Sequence, residues 1–489
     1  MQLIGEMLVI SKTSDVPVYL QLANALIQNI QEGRFRKGQR LPGSRQMAGL
    51  LQINRMTVVA AYNELDSQGW VLTRPKRGTF VKVDLPFLSP TGLGDHSKVF
   101  KLPENPGFSY DDKWIVPIDT PGDFPPAGKL VLNPGFPDFR LAPIEDLIRS
   151  IRRLSRQTFH KKYLTYGGAQ GTLYLRETLA DFLCDTRGVS ITPENILITK
   201  GTQMGIYLTT SILIKPGEEV IVGTPGYVGA NRTFLQAGAR INYIPVDGAG
   251  INTIQVEKLC RNKAIRMVYV IPHHHHPTTV TLSPERRVHL LELAARYAFA
   301  IIEDDYDYDF HYAGKPMMPM ASHDRNGNVI YIGALSKSLA PAIRVGFIVA
   351  PREFIRTATY LRKSIDTQGD SLVENAIAAL YKDGTIARHI KRSVKLYRER
   401  RDHFGKLLRD ELGEQVSFNV PEGGMSIWTN FLKSHLPTVV ERASKKGLIL
   451  SDGTDYDTGA IKYNSVGLGF ASLNFKEQER AVAILKDVL

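Results

Sequence analysis

Two cysteines, Cys184 and Cys260, in 489 residues have no CxxC or metal-finger spacing, and they read as buried thiols in a reducing compartment. No apolar run reaches the roughly 18–20 residues that span a bilayer, which excludes a membrane-spanning helix. The opening MQLIGEMLVISK contains Glu6 and lacks a basic n-region with a small-residue cleavage site, so the expectation is a cytoplasmic protein without a secretory leader. Acid is also in short supply, with 49 Asp and Glu against 61 Lys and Arg and a net charge of +12. Half of that excess, +6, falls between Met1 and Lys82, where eleven Lys and Arg meet five Asp and Glu. A small module that meets phosphates has this pattern, as does a merely solvated basic surface. The length implies two to four domains at roughly 100–200 residues each.

In the basic segment, Tyr19, Leu22, Ala23, Leu26, Ile27 and Ile30 recur at helical spacing and form one apolar stripe ended by Gly33. Ser44 is expected to cap a second short helix through Leu51, and Asn54 a third that turns Val58, Ala61, Tyr62 and Leu65 inward. Two short helices joined by Gln52-Ile53-Asn54 make a helix-turn-helix, whose third helix presents Arg55 and Thr57 in its first turn, where a recognition helix meets base edges. WVLTRPKRGTFV then reads as a hairpin with Arg74, Lys76, Arg77 and Gly78 at its tip, a basic wing.

These residues resemble the winged helix of the GntR regulators, whose P-x-Y-x-Q, G-x-x-L-P-S-x-R and S-R-x-T-V-x-x-A-Y patterns stand here as Pro17–Gln21, Gly38–Arg45 and Asn54–Tyr62. The resemblance implies DNA contacts from Ser44, Arg45, Asn54, Arg55, Thr57 and the wing residues Arg74, Lys76, Arg77 and Gly78. Gly43 replaces the family's usual serine.

The winged helix-turn-helix, of α+β class, is assigned to residues 1–82, and a Pro, Gly, Ser and Asp-rich linker to residues 83–129. Beyond it, apolar runs such as NILIT, EVIVG, MVYVIP, FAIIED and VIYIG alternate with helical patterns such as SPERRVHLLELAARYA, which predicts an α/β domain over residues 130–489 with a mostly parallel sheet. A large subdomain is expected at about 165–370 and a smaller α+β subdomain at about 371–489.

Several strand ends carry chemistry. Pyridoxal 5′-phosphate requires an amine for a Schiff base, a carboxylate for its ring nitrogen, a hydroxyl near its phenolic oxygen, cations and N–H groups for its phosphate, and an aromatic face. Lys337 follows VIYIGAL beside Ser336, with Arg344 seven residues on. IIEDDYDYDF ends another strand, where alternation puts Asp304 and Tyr306 on one face. Gly201-Thr202-Gln203 opens a helix after NILITK, a natural phosphate cradle, and Tyr227 lies on a loop in TPGYVGA. Taken singly, these are more often a surface lysine, a solvated acidic loop and a plain helix cap.

In this order they resemble the fold-type I aminotransferases, together with NPGFPD at Asn133–Asp138, YGGAQGTLYLRETLADFL at Tyr166–Leu183 and SKSLAPAIRVG at Ser336–Gly346. The resemblance implies that Lys337 is the internal aldimine lysine, Asp304 the partner of the pyridine nitrogen, Tyr306 that of the phenolic oxygen, Arg344 a phosphate ligand, Tyr227 a stacking ring, and Tyr166 a reach toward a neighbouring subunit. Both halves together resemble the MocR subgroup of GntR regulators, with TLSPERR, EDDYD and SK-x-LAPA-x-R-x-G in place. That resemblance implies a transcriptional regulator of vitamin B6 or amino-compound metabolism, a head-to-tail, domain-swapped homodimer that binds a double-stranded operator, and a pocket for pyridoxal phosphate or a small amine. The competing readings are an active aminotransferase with an accessory DNA-binding module and a degenerate domain without cofactor.

Two segments depart from the aminotransferase pattern. PHHHHPTT places His276 where aminotransferases carry an asparagine, and no Cys or acidic motif completes a metal site around the four histidines. In VGLGFASL, Val466 and Gly467 stand where a substrate-carboxylate arginine is sought, with Lys462 and Arg232 as the available substitutes. Turnover is therefore not expected, and partial transamination stays open.

Overall fold

The computed structural model describes residues 7–8, 10–11, 14, 16–83, 105–109, 128–156, 163–458 and 461–489. The chain divides into two compact units, Met1–Asp111 and Asp112–Leu489. Most of the expected linker, residues 83–129, lies outside the described residues. Among the described residues no helix is long and apolar enough to cross a membrane.

In the first unit, α1 (Val18–Gln31), α2 (Ser44–Leu51) and α3 (Arg55–Ser67) precede a hairpin of β1 (Val71–Arg74) and β2 (Gly78–Val81). Leu22, Ala23, Leu26 and Ile30 of the apolar stripe are buried with Met47, Val58, Ala61 and Leu65 in one core, while Tyr19 and Ile27 pack at its edge. Asn54 caps α3, its Oδ1 accepting from the Met56 N–H at 2.8 Å. Ser44 does not cap α2. Gly43 holds the extended cap conformation, and Ser44 is the first helical residue.

The second unit holds β3 (Leu130–Val131), α4 (Ile144–Arg156), α5 (Leu173–Arg187), β4 (Ile196–Thr199), α6 (Thr202–Leu213), β5 (Glu219–Thr224), α7 (Val228–Gln236), β6 (Arg240–Asp247), β7 (Gly250–Ile251), α8 (Thr253–Asn262), β8 (Ile265–Val270), α9 (Pro284–Tyr297), β9 (Ala300–Asp305), β10 (Val329–Ala334) and β11 (Gly346–Val349). There follow α10 (Arg352–Asp366), α11 (Ser371–Lys382), α12 (Thr385–Leu412), β12 (Val416–Phe418), β13 (Ser426–Phe431), α13 (Leu436–Lys445), β14 (Leu448–Ile449), β15 (Ser465–Gly469) and α14 (Phe475–Val488). The large sheet has the order β4-β11-β10-β9-β8-β5-β6-β7. Pairings among β10, β9, β8, β5 and β6 are parallel, whereas β11 runs antiparallel to both β10 and β4. The carboxyl ends of β4, β10, β9, β8 and β5 and the start of β11 therefore share one edge, where an open α/β sheet binds its ligands.

The antiparallel sheet β12-β13-β15 forms the smaller subdomain, with α12 and α14 contributing to its core. Its core takes in Leu130 and Leu132, from far earlier in the chain. A division at residue 370 would give α11 to this subdomain. Its Ala376, Ile377 and Leu380 instead join Leu147, Leu154 and Leu179 in a core of the large sheet, because α11 packs against α4 and α5.

Candidate cofactor and nucleic-acid sites

Burial drives the chemistry at the sheet edge. Lys337 sits in the turn after β10, where its Nζ donates to the Gly135 carbonyl. Burial lowers its pKa to about 8, partly offset by Asp307 and Asp304. Asp304 ends on the same crevice. Its Oδ2 accepts from the Tyr269 hydroxyl at 2.6 Å, while Oδ1 is buried without a hydrogen-bond partner among the described residues. Burial raises its carboxyl to about 7. Asp305, its neighbour, is engaged elsewhere, accepting from the Tyr331 hydroxyl and from the Tyr308 N–H at 3.1 Å. Tyr306 lies one position beyond β9 and donates to the His274 carbonyl at 3.2 Å.

Arg344 and Gly201 meet at the start of α6. Gly201 has φ +83°, and a Cβ there would lie 2.6 Å from an Arg344 guanidinium nitrogen. The guanidinium donates to the Lys200 carbonyl at 2.9 Å. Thr202 opens α6, and Ser336 is buried next to Lys337. An arginine beside a glycine-preceded helix N-terminus is a combination able to hold an anion.

Gln203 does not face that cradle. Its Nε2 donates to the Gly229 carbonyl at 3.1 Å and to Thr233 Oγ1 at 2.7 Å, and its Oε1 accepts from Tyr227 at 3.3 Å. It therefore orients Tyr227, whose ring lies edge-on to His276 at 5.8 Å. His276 Nε2 is 3.2 Å from the Tyr456 hydroxyl, and burial lowers its pKa to about 3, so the ring is neutral. The other three rings take separate partners, His273 the Met317 carbonyl, His274 Asp307, and His275 the Pro225 carbonyl. Among the described residues no group of three metal-ligating side chains occurs. Tyr166 is 89 % exposed and outside the cluster.

Tyr269, Tyr456 and the Asn133–Gly135 loop escaped the sequence reading, although NPGFPD marked the loop as a motif. The two tyrosines carry no local signal, since one reaches Asp304 from a neighbouring strand and the other reaches His276 across 180 residues.

At the arginine position, Gly467 of β15 faces Pro134, whose Cβ would lie 2.9 Å from a Cβ on Gly467. Arg232 pairs with Asp455 and Lys462 with Asp457, each at 3.1 Å.

On the winged helix, Arg45, Asn54, Arg55, Arg74, Lys76 and Arg77 are exposed and Thr57 is half-buried. Ser44 Oγ accepts from Arg55 Nε at 3.3 Å, which joins the two helix starts. The Tyr62 hydroxyl donates to the Pro42 carbonyl at 2.7 Å and holds the preceding turn. Gly78 has φ +112° and admits Arg40, whose Nε would lie 2.7 Å from a Cβ there; this exposed wing cation was not foreseen.

This fold is that of the aminotransferases, and the chain belongs to the aminotransferase class I and II family, whose model matches residues 127–454. Residues 18–81 match the gntR family of bacterial regulatory proteins, so the chain has the two-part organisation that the MocR resemblance implies. It is 29 % identical over 484 residues, 98 % of this chain and 95 % of the relative, to the probable rhizopine catabolism regulatory protein MocR of Rhizobium meliloti. Aromatic-amino-acid aminotransferase 1 of Thermococcus litoralis is 30 % identical, covering 69 % of this chain and 82 % of its own. Among solved structures, the Pyrococcus horikoshii kynurenine aminotransferase in complex with PMP superposes with a TM-score of 0.69 at 29 % identity, over 74 % of this chain and 90 % of that one.

Proposed function

We propose that this chain is a transcriptional regulator that binds operator DNA through its winged helix and pyridoxal 5′-phosphate in the crevice at Lys337, with occupancy of the crevice changing DNA affinity and with no sustained transamination. The observation that carries the cofactor reading is the partnerless, buried Oδ1 of Asp304, since an unsatisfied carboxylate oxygen is costly unless a donor such as a pyridinium N–H completes it. Asp304 rather than Asp305 takes this role, because Asp305 already has Tyr331 and Tyr308. Arg344, Gly201, Thr202 and Ser336 would hold the phosphate, Tyr306 the phenolic oxygen, and Tyr227 with His276 the ring face. When bound, the cofactor supplies an aldehyde that condenses with an amine. Lys337 provides that amine, and with a pKa of about 8 roughly a tenth of it is neutral and nucleophilic at pH 7. Exposed Tyr166 is available to a second subunit of a homodimer.

Val466 and Gly467 stand where aminotransferases carry the substrate-carboxylate arginine, which favours pyridoxal phosphate itself as the effector and regulation over turnover. Spectrophotometric titration of the full chain tests this, with saturable uptake of one cofactor per chain expected and no steady exchange between an amino donor and a 2-oxo acid. Steady turnover would make the protein an enzyme. Restoring the arginine by Gly467→Arg is not expected to create turnover. Its Cβ would press on Pro134, so a melting temperature lowered by several degrees is the expected readout.

At the winged helix, Arg55→Ala is expected to weaken specific operator binding by about 1–3 kcal/mol and to relax sequence preference. Arg77→Ala at the wing is expected to weaken binding to all sequences alike and to reduce the salt slope by about one, as measured by anisotropy across a salt series.

A further inference from the structure

A second cavity, of about 350 Å³ and not lined by Lys337, lies between the Leu141–Pro143 turn before α4 and the first turns of α12. Arg388 and Arg392 stand four residues apart on its wall, and His389 and Ser393 repeat that spacing one position on, so one side of the helix presents all four. Ser393 is 2 % exposed and its Oγ has no hydrogen-bond partner, so a buried hydroxyl on the cavity wall is left unsatisfied. Arg388 is pre-positioned by the Asp383 carbonyl and by Thr385 Oγ1, both at 3.0 Å, which leaves further N–H groups free. Neither arginine makes an ion pair among the described residues, and Asp146, the one acid on the wall, is 3.2 Å from Arg149. Between Thr385 and Arg398 the chain carries five Lys and Arg and no acid, so this stretch of the helix is net basic. Leu141 and Leu396 give the cavity an apolar side.

We propose that this cavity binds a small phosphate monoester, with Arg388 and Arg392 on the phosphate, Ser393 donating to one of its oxygens, and the organic portion against Leu141 and Leu396. Its volume falls in the range of small-molecule sites, and the guanidinium N–H groups not already donating match a phosphate. His389 is held below its ordinary pKa by burial and then by Arg392, so at pH 7 it is a neutral hydrogen-bonding group.

Calorimetric titration of the full chain with phenyl phosphate tests the site, with Arg344→Ala removing the other anion cradle and so keeping the result independent of cofactor binding. One equivalent is expected to bind in Arg344→Ala, and at least that one in wild type. In Arg388→Gln/Arg392→Gln, whose solvent-facing changes should leave the melting temperature intact, binding is expected to weaken at least tenfold, and in Ser393→Ala severalfold. Loss of binding in Arg344→Ala, or unchanged binding in the double variant, overturns the proposal. So does equal affinity for inorganic phosphate, which would remove the role of the apolar wall. Capture of random-sequence duplex DNA but not phenyl phosphate by the two arginines would overturn it too and assign them to a nucleic-acid surface.

Discussion

Lys337→Ala is expected to abolish covalent capture of pyridoxal phosphate and to weaken its retention by a hundredfold or more, because every remaining contact must hold a freely dissociating ligand (on the order of 10² or greater for a lost intramolecular step). Loss of the visible absorbance of the bound cofactor, together with equilibrium dialysis, measures both effects. The buried amine is replaced by a methyl group, so the Gly135 carbonyl loses its donor while Asp304 and Asp307 lose a nearby positive charge. DNA binding by the cofactor-free variant should match that of cofactor-free wild type, since the winged helix has its own core. The cofactor's influence on DNA affinity should disappear. If the variant instead lost DNA binding altogether, Lys337 would be needed for folding rather than for ligand capture.

Asp304→Asn should act in opposite directions on stability and on cofactor affinity. Tyr269 can still donate to the amide oxygen, which leaves the amide N–H₂ at the position of the partnerless Oδ1, where it cannot accept from a protonated ring nitrogen. Cofactor affinity should therefore fall by about 3 kcal/mol or more, a loss of roughly a hundredfold or greater, as when one partner of a buried charged pair is removed. The cofactor-free protein responds the other way. Asp304 is raised by burial from 3.8 to about 7, so the folded state holds its proton more tightly than the unfolded chain does. The cost of keeping this carboxylate buried grows as pH rises from about 4 to about 7 and is absent at lower pH. Above pH 7 the cofactor-free variant should melt a few degrees higher than wild type, with the difference vanishing near pH 4. A variant that binds cofactor normally would move the ring-nitrogen role away from Asp304.

Much of this arrangement is legible where it depends on local periodicity. The stripe of Leu22, Ala23, Leu26 and Ile30 specifies α1 because burial selects one helix face, and Asn54 caps α3 because an amide side chain reaches a free N–H two residues on. Strand alternation separates Asp304 from Asp305 for the same reason, since successive side chains leave a strand on opposite faces. Ser44 misled because capping belongs to whichever residue adopts the extended conformation, and Gly43 does so without a side-chain acceptor. Gln203 faces α7 because Gly229 and Thr233, 26 and 30 residues away, offer it better partners. Tyr269 and Arg40 were hidden by the same kind of distance, one brought by strand order and the other by the close approach that Gly78 permits. Periodicity thus exposes faces and caps, whereas side-chain partners across the fold depend on packing that no short stretch encodes.

Coupling between the crevice and DNA is the central claim, and anisotropy of labelled DNA from the region upstream of the protein's own gene tests it most directly. Cofactor-free protein is titrated with and without pyridoxal phosphate at one fixed salt concentration, because phosphate contacts make affinity salt-dependent. A change in affinity or stoichiometry on adding pyridoxal phosphate is the expected result. Superimposable isotherms from protein shown to be fully loaded and fully cofactor-free would contradict it.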